Sequence, residues 1–406
     1  MSPLLLACRL TPPGEGGIGL IELAGPRAPE ILDKLFSNPR GHHASTLRPG
    51  RLLYGKLIKE GETLDEVILD CVALRPQPAF IINCHGGAVA AARVMRALAA
   101  EGARPCSMQE RAEARRALGV MDAIQAEAEQ AIPRAPTLRG VAHLLDQRGG
   151  ALAAAIETLR GAALRADWPA ASSGVERLLA TAAFGRALTT PPSLVLAGRP
   201  NVGKSTLANA LLRYDRMIVH SLPGTTRDTV EELLSIGELP FLLADTAGLR
   251  DAGDAVEREG VERTRRALER ADVALLLFDA SEPLREEDEA LLSGPLPARL
   301  VPVLNKSDLP LMIRAETIRQ KTGREPVAVS AVQGEGIAEL EERIVQEMWP
   351  SPPARGEAII FTERQEKLMR AAKEAAAGRS AERFLEALDT LRGGSANGNV
   401  RSAITD

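Results

Sequence analysis

The sequence predicts a multidomain protein of the α/β and α classes, in which a doubly wound, mainly parallel phosphate-binding domain is inserted in a helical domain and preceded by a small α+β domain. Three observations carry that prediction. Gly198-Arg199-Pro200-Asn201-Val202-Gly203-Lys204-Ser205 matches G-x-x-x-x-G-K-S between a strand-like run and a helical one. Strand and helix patterns then alternate from 193 to 350, as in a parallel sheet covered on both faces. Segments rich in Ala, Glu and Arg flank that stretch on both sides. With 406 residues, the chain is long enough for about three domains.

Residues 1–107 read as the α+β domain. Apolar runs at 19–23, 52–58, 67–74 and 79–84 alternate with Gly/Pro turns and with helical patterns near 29–36 and 88–100. Residues 108–192 form the first helical part, interrupted at 133–136 and 168–174. The texture changes at Pro191-Pro192. The strand 193–198 opens the nucleotide domain (193–350), a helical run follows at 206–212, and further strands fall at 241–244, 273–279, 300–305 and 327–330. Helix formers return over 361–391, so 351–406 supplies a second helical part that packs on the first, followed by a flexible tail from Gly393.

Composition narrows the function. Lys+Arg number 50 against 54 Asp+Glu, a net charge of −4, so no overall positive field draws the chain onto nucleic acid. Seven Phe, two Tyr and two Trp leave few rings for base-stacking platforms. Cys8, Cys71, Cys84 and Cys106 contain no C-x-x-C pair, and no basic leader precedes the short apolar run 4–8, so the cysteines are expected to be reduced and the protein cytoplasmic. No apolar stretch reaches the roughly 18 residues that span a bilayer, which argues against a membrane partner.

The chemistry concentrates in the nucleotide domain. In a P-loop, Val202, Gly203 and Thr206 bring backbone N–H groups to the phosphates, Lys204 neutralises β/γ charge and Ser205 ligates Mg²⁺. Asp245 and Gly248, in Asp245-Thr246-Ala247-Gly248, suit a Mg²⁺ water and the γ-phosphate; Thr226, in Pro223-Gly224-Thr225-Thr226-Arg227-Asp228, suits the completed Mg²⁺ shell. In Asn305-Lys306-Ser307-Asp308 the Asp308 carboxylate can accept paired N–H bonds from a guanine edge, while the Lys306 stem covers the ring and Ser330-Ala331 closes the pocket. Together these select GTP. Leu249 stands where Ras-like enzymes carry the water-orienting Gln, leaving Asp251, Asp254 and Glu257 as acidic candidates for that work. Cys84 beside His85 lacks metal-ligand spacing, and His42-His43, Arg115-Arg116 and Arg265-Arg266 read as solvated surface.

These residues resemble the translation-factor-related GTPases, and the Gly-Thr-Thr-Arg-Asp loop narrows the resemblance to the tRNA-modification GTPase family (MnmE, also called TrmE). The segment from Thr11 to Gly19 is similar to the family's opening motif, and Cys84-His85-Gly86-Gly87 to its C/G-H-G-G. The resemblance implies a folate-binding N-terminal domain followed by a helical domain carrying the inserted G domain. Asn201 matches the asparagine that ligates K⁺; the other K⁺ ligands would be the carbonyls of His220 and Leu222 with Thr225, and Mg²⁺ would sit at Ser205 and Thr226. Glu257 occupies the position of the catalytic glutamate, acting with Lys204 and Thr226. K⁺ beside the transferring phosphoryl group would do the work of an arginine finger. The implied function is K⁺-activated GTP hydrolysis serving C5 modification of wobble uridine in tRNA. The implied partners are an FAD-dependent protein, tRNA, and a second copy contacted through the N-terminal and G domains.

The resemblance is uneven. Glu22 replaces an arginine and Ile81 a glutamate at two folate contacts; Val120 falls where the family's F-T-x-R-A-F-x-N-G-K segment places its lysine, and the terminal Cys-x-Gly-Lys has no counterpart. The alternative is therefore a paralogue working as a GTP-dependent binding switch, without folate or one-carbon chemistry.

Overall fold

A computed structural model describes residues 5–12, 16–214, 232–244, 268–269 and 271–394. The chain divides into two compact units, residues 1–126 and 127–406.

The first unit is built on a seven-stranded sheet of order β3-β4-β5-β6-β2-β1-β7. Its elements run β1 (Leu6–Arg9), β2 (Ile18–Ala24), α1 (Ala28–Leu35), β3 (Phe36–Ser37), β4 (Leu52–Lys59), β5 (Glu62–Ala73), β6 (Ala79–His85), α2 (Ala88–Ala100), β7 (Arg104–Cys106) and α3 (Met108–Ala117), with α4 (Ala123–Ala131) following. Glu60 and Gly61, both at positive φ (53° and 80°), make the two-residue turn that joins β4 to β5, matching the twist of an antiparallel pair. Alternate residues of the strands, among them Ile21, Leu23, Leu57, Leu69, Phe80 and Ile82, form a core with Ile31 and Leu32 of α1 and Val94 and Leu98 of α2. Each such side chain contributes about 1.5–3 kcal/mol by leaving water. The opposite sheet face stays open over β4 and β5, with Leu52, Tyr54, Ile68 and Val72 exposed along it.

The second unit begins with the helices α5 (Leu138–Arg148), α6 (Ala151–Leu164), α7 (Trp168–Ala180) and α8 (Ala182–Ala187). Thr137 and Asp167 cap α5 and α7 by accepting the N–H of Gly140 and Ala170. The nucleotide domain follows: β8 (Ser193–Ala197), α9 (Lys204–Tyr214), β9 (Glu232–Ile236), β10 (Leu239–Leu243), β11 (Val273–Asp279), α10 (Glu286–Leu292), β12 (Leu300–Asn305), α11 (Ala315–Thr322), β13 (Val327–Val329) and α12 (Ile337–Met348). Its sheet order is β13-β12-β11-β8-β10-β9, parallel throughout except for β9 against β10. β11 is buried at every position, as a central parallel strand must be.

The last helices, α13 (Glu363–Ala377) and α14 (Ala381–Arg392), return to the first helical part. Gln147 of α5 donates to the Glu357 carbonyl (2.9 Å) and accepts from the Ile359 N–H (3.2 Å). Thr181 accepts from the Ile360 N–H (2.9 Å), and Trp168 meets Phe384 edge-on at 6.1 Å. The segments before and after the nucleotide domain thus form one helical body around an inserted α/β domain. Trp349 joins the two parts of this unit, lying 5.5 Å from Phe184 of α8 and 5.7 Å from Phe241 of β10, ring centre to ring centre.

Four strands escaped the sequence reading: β1, the short β3 and β7, and β9. β1 was obscured because its apolar run is short, and β9 because it joins the sheet antiparallel at an edge. Arg115 is a correction: it is half-buried against a carboxylate rather than solvated, because α3 turns it toward the sheet.

Candidate functional site

The loop from β8 to α9 is shaped by three residues at positive φ: Gly198 (145°), Asn201 (64°) and Gly203 (95°). A Cβ at Gly198 would lie 2.6 Å from the Leu277 carbonyl oxygen, and one at Gly203 would fall on the Asn305 side-chain nitrogen. Both glycines are therefore required by close approach as well as by conformation. Val202 is buried beneath the loop, while Ser205 and Thr206 are exposed in the first turn of α9, where the helix N-terminus and its dipole favour an anion. Lys204 crosses back over the loop, its Nζ donating to the carbonyls of Gly198 and Arg199, each at 2.9 Å. Burial, then the nearby Arg199 charge, holds its ammonium below the ordinary lysine range.

Asn305 ties this loop to the far side of the pocket. It is 2 % exposed; its Nδ2 donates to the Val202 carbonyl at 2.8 Å and its Oδ1 accepts the Ala331 N–H at 3.2 Å. Lys306, at φ 64°, donates to Asp279 Oδ2 at 2.5 Å from the adjacent end of β11. Asp308 lies exposed beyond them. Ser330, fully buried, accepts the Gln333 N–H at 3.1 Å and shapes the turn that places Ala331. The structure thus brings Asn201, Val202, Gly203, Lys204, Ser205 and Thr206 together with Asn305, Ser330 and Ala331 at the carboxyl ends of parallel strands, where open α/β sheets bind ligands. His220, Leu222, Thr225, Thr226, Asp245, Gly248 and Glu257 lie outside the described residues, as do Asp251, Asp254, Arg265-Arg266 and the tail beyond 394.

Sequence reasoning missed the support beneath the loop. Arg199 is 7 % exposed, reaching Glu282 at 2.6 Å, Asp288 at 3.3 Å and Asp279 at 3.8 Å. Burial pushes the Asp288 carboxyl up. Only the position of Arg199 inside the motif and the acid at the end of the 273–279 strand signalled this.

A second cluster lies in the first unit. Register sets Cys106, Cys8, Glu22 and Ile81 in one line across β7, β1, β2 and β6. Glu22 is 3 % exposed and receives Arg111 and, at 3.2 Å, Arg115. Those arginines stand four residues apart on one face of α3, a helix started by Ser107 and Glu110 in a reciprocal cap. Elsewhere in this unit, Asp65 Oδ1 meets His85 Nδ1 at 2.5 Å, and this bond raises the imidazole above its ordinary value.

Comparison with known proteins accords with both halves. Residues 193–306 match the family described as 50S ribosome-binding GTPase, and residues 6–114 that described as GTP-binding protein TrmE N-terminus. The chain is 37% identical over 374 residues to the tRNA modification GTPase MnmE of Geobacillus kaustophilus, covering 84% of this chain and 80% of that one. It is 37% identical over 428 residues to the protein of the same name from Chloroflexus aurantiacus (98% and 92% covered), and 38% over 372 to that from Moorella thermoacetica (84% and 80%).

Proposed function

Because the chain belongs to the tRNA modification GTPase MnmE family and is a GTPase, we propose that its hydrolysis of GTP is activated by potassium and serves modification of the wobble uridine of tRNA. The observation that carries the nucleotide reading is the Asn305 side chain, which holds the phosphate loop and the base-pocket turn in one fixed relation.

In this reading Asp308 accepts the guanine edge, the Lys306 stem covers the ring, and Ala331 borders the base. The first-turn N–H groups of α9 and Lys204 bind the phosphates, with Lys204 leaving its two carbonyl partners for the β/γ oxygens. Ser205 and Thr226 would hold Mg²⁺, which would supply positive charge to the phosphates. Asp245 would hold Mg²⁺ through a water, and the Gly248 N–H would face the γ-phosphate. Asn201 fits an alkali cation: its amide is exposed at the loop tip and, among the described residues, unpaired. It would hold K⁺ with His220, Leu222 and Thr225, and that ion supplies fixed positive charge where the phosphoryl group transfers. Glu257 orients the attacking water, the work that Leu249 cannot do.

The N-terminal unit does not fit the folate that the family implies. A carboxylate stands where a cation would contact that ligand, and it is closed off by two arginines of its own chain. No one-carbon step is assigned to it. The open sheet face with Leu52, Tyr54 and Ile68 supports a homodimer through this unit. A flavoprotein and tRNA remain the partners proposed for the modification step.

The test is GTP turnover of the full chain in KCl and in NaCl. At least several-fold faster turnover in KCl is expected, with Glu257→Ala abolishing phosphate release while GTP still binds. Equal rates in both salts would remove the potassium assignment. An unchanged wobble-uridine profile in tRNA from cells lacking this chain would remove the modification role and favour the binding switch.

A further inference from the structure

The row that contains Glu22 starts with two thiols. Cys8 and Cys106 are direct partners in the parallel pairing of β1 and β7, so their side chains leave the same sheet face. Neighbouring strands lie about 4.8 Å apart, within the window of about 4.4–6.8 Å between Cα atoms that a disulfide requires. Cys8 is 2 % exposed, with its Sγ 3.8 Å from Met108 Sδ, whereas Cys106 is half-buried and reachable from solvent.

The other two cysteines are excluded by the same sheet. Cys71 pairs with Phe80 and Cys84 with Gly19, positions whose side chains leave the opposite, helix-covered face. Both lie in the apolar core, and Cys84 donates to the Gly19 carbonyl at 3.3 Å.

We propose that Cys8 and Cys106 form a reversible oxidation site, with Cys106 as the peroxide-reactive thiol and Cys8 as the thiol that resolves it into a disulfide. In the first step the Cys106 sulfur attacks a hydroperoxide. An S–O bond forms and the O–O bond breaks, so that sulfur is oxidised by two electrons and the peroxide leaves as alcohol or water after taking up a proton. In the second step the Cys8 sulfur displaces hydroxide from the Cys106 sulfenic acid. An S–S bond forms, the S–O bond breaks, and the Cys8 proton leaves with hydroxide as water. A dithiol reductant reverses the sum.

The electrostatics agree with this division of roles. The neighbouring Cys8 thiol holds the Cys106 thiol below the ordinary cysteine value, while Cys106, followed by burial, pushes Cys8 up. The cross-link would fasten the edge strand β7 to β1 beside the Glu22 ion pair. It would join positions about 100 residues apart, a separation at which loop closure in the unfolded chain favours the folded state strongly.

The experiment uses the reduced full chain, exposed to hydrogen peroxide, alkylated and mapped by mass spectrometry. Loss of two hydrogens, one cross-linked peptide pair containing Cys8 and Cys106, and full reversal by dithiothreitol are expected. In Cys8→Ser the sulfenic acid at Cys106 should be trapped by dimedone at peroxide levels that give no adduct in the unaltered chain. In Cys106→Ser the cross-link should be absent, and an unchanged chemical-denaturation midpoint of the N-terminal unit in both reduced variants would show that they fold. Four alkylatable thiols after peroxide treatment, or a cross-link through Cys71 or Cys84, would overturn the proposal.

Discussion

Around Asn305 the polar atoms that shape the nucleotide loop are bonded to backbone, while the start of α9 and the Asp308 carboxylate lie exposed. Around Glu22 the polar atoms are bonded to one another: a buried carboxylate receives two guanidinium groups of its own chain. The first arrangement is rigid yet has donors and an acceptor left for a ligand. The second is equally ordered, but its charge is spent internally. The two clusters of one chain thus differ in where their hydrogen bonds end.

The largest way to break that comparison is to unpair the second site. Glu22→Ala leaves Arg111 buried without its carboxylate, so chemical denaturation should show the N-terminal unit destabilised by about 3–5 kcal/mol. GTP turnover by the nucleotide domain should be retained. A change below about 0.5 kcal/mol would mean that the ion pair does not organise the unit.

An intermediate effect is expected on the other side. Asn305→Ala removes both bonds that join the phosphate loop to the Ala331 turn and strands a buried carbonyl and N–H, which costs about 1–3 kcal/mol. Titration with GTP should show affinity falling about tenfold to a hundredfold. Unaltered affinity would deny the loop its support from β12.

The smallest effect concerns His85, which is exposed. Its partner Asp65 raises the imidazole, so whatever the pair contributes is fully present below the ordinary histidine value and lost as pH rises through the raised one. An NMR titration should place the His85 midpoint above that of an unpaired histidine, and Asp65→Asn should bring it back. Identical midpoints would mean that the bond is not formed in solution.

The nucleotide domain was the more legible half. A phosphate loop needs particular residue types at fixed spacing, and each strand end announces itself by an apolar run stopping at a polar residue, as at Asn305 and Ser330. The inserted topology was legible as well, from the return of helix formers after 361. What stayed hidden depends on contacts between distant positions. Glu22 reads as an isolated substitution until α3 brings Arg111 and Arg115 across the sheet. Cys8 and Cys106 form no local motif, since only strand register makes them neighbours. Arg199 looked like a filler position within the motif and is instead the cation beneath the loop, where three acids converge.

The central claim is that the pocket framed by Asn201, Lys204, Asn305 and Asp308 selects guanine and cleaves its triphosphate. The most direct test is a comparison of GTP and ATP turnover by the full chain in KCl with Mg²⁺, repeated with Asp308→Ala. GTP should be favoured by about a hundredfold, with most of that preference lost in the variant. Equal turnover of the two nucleotides by the unaltered chain would contradict the account.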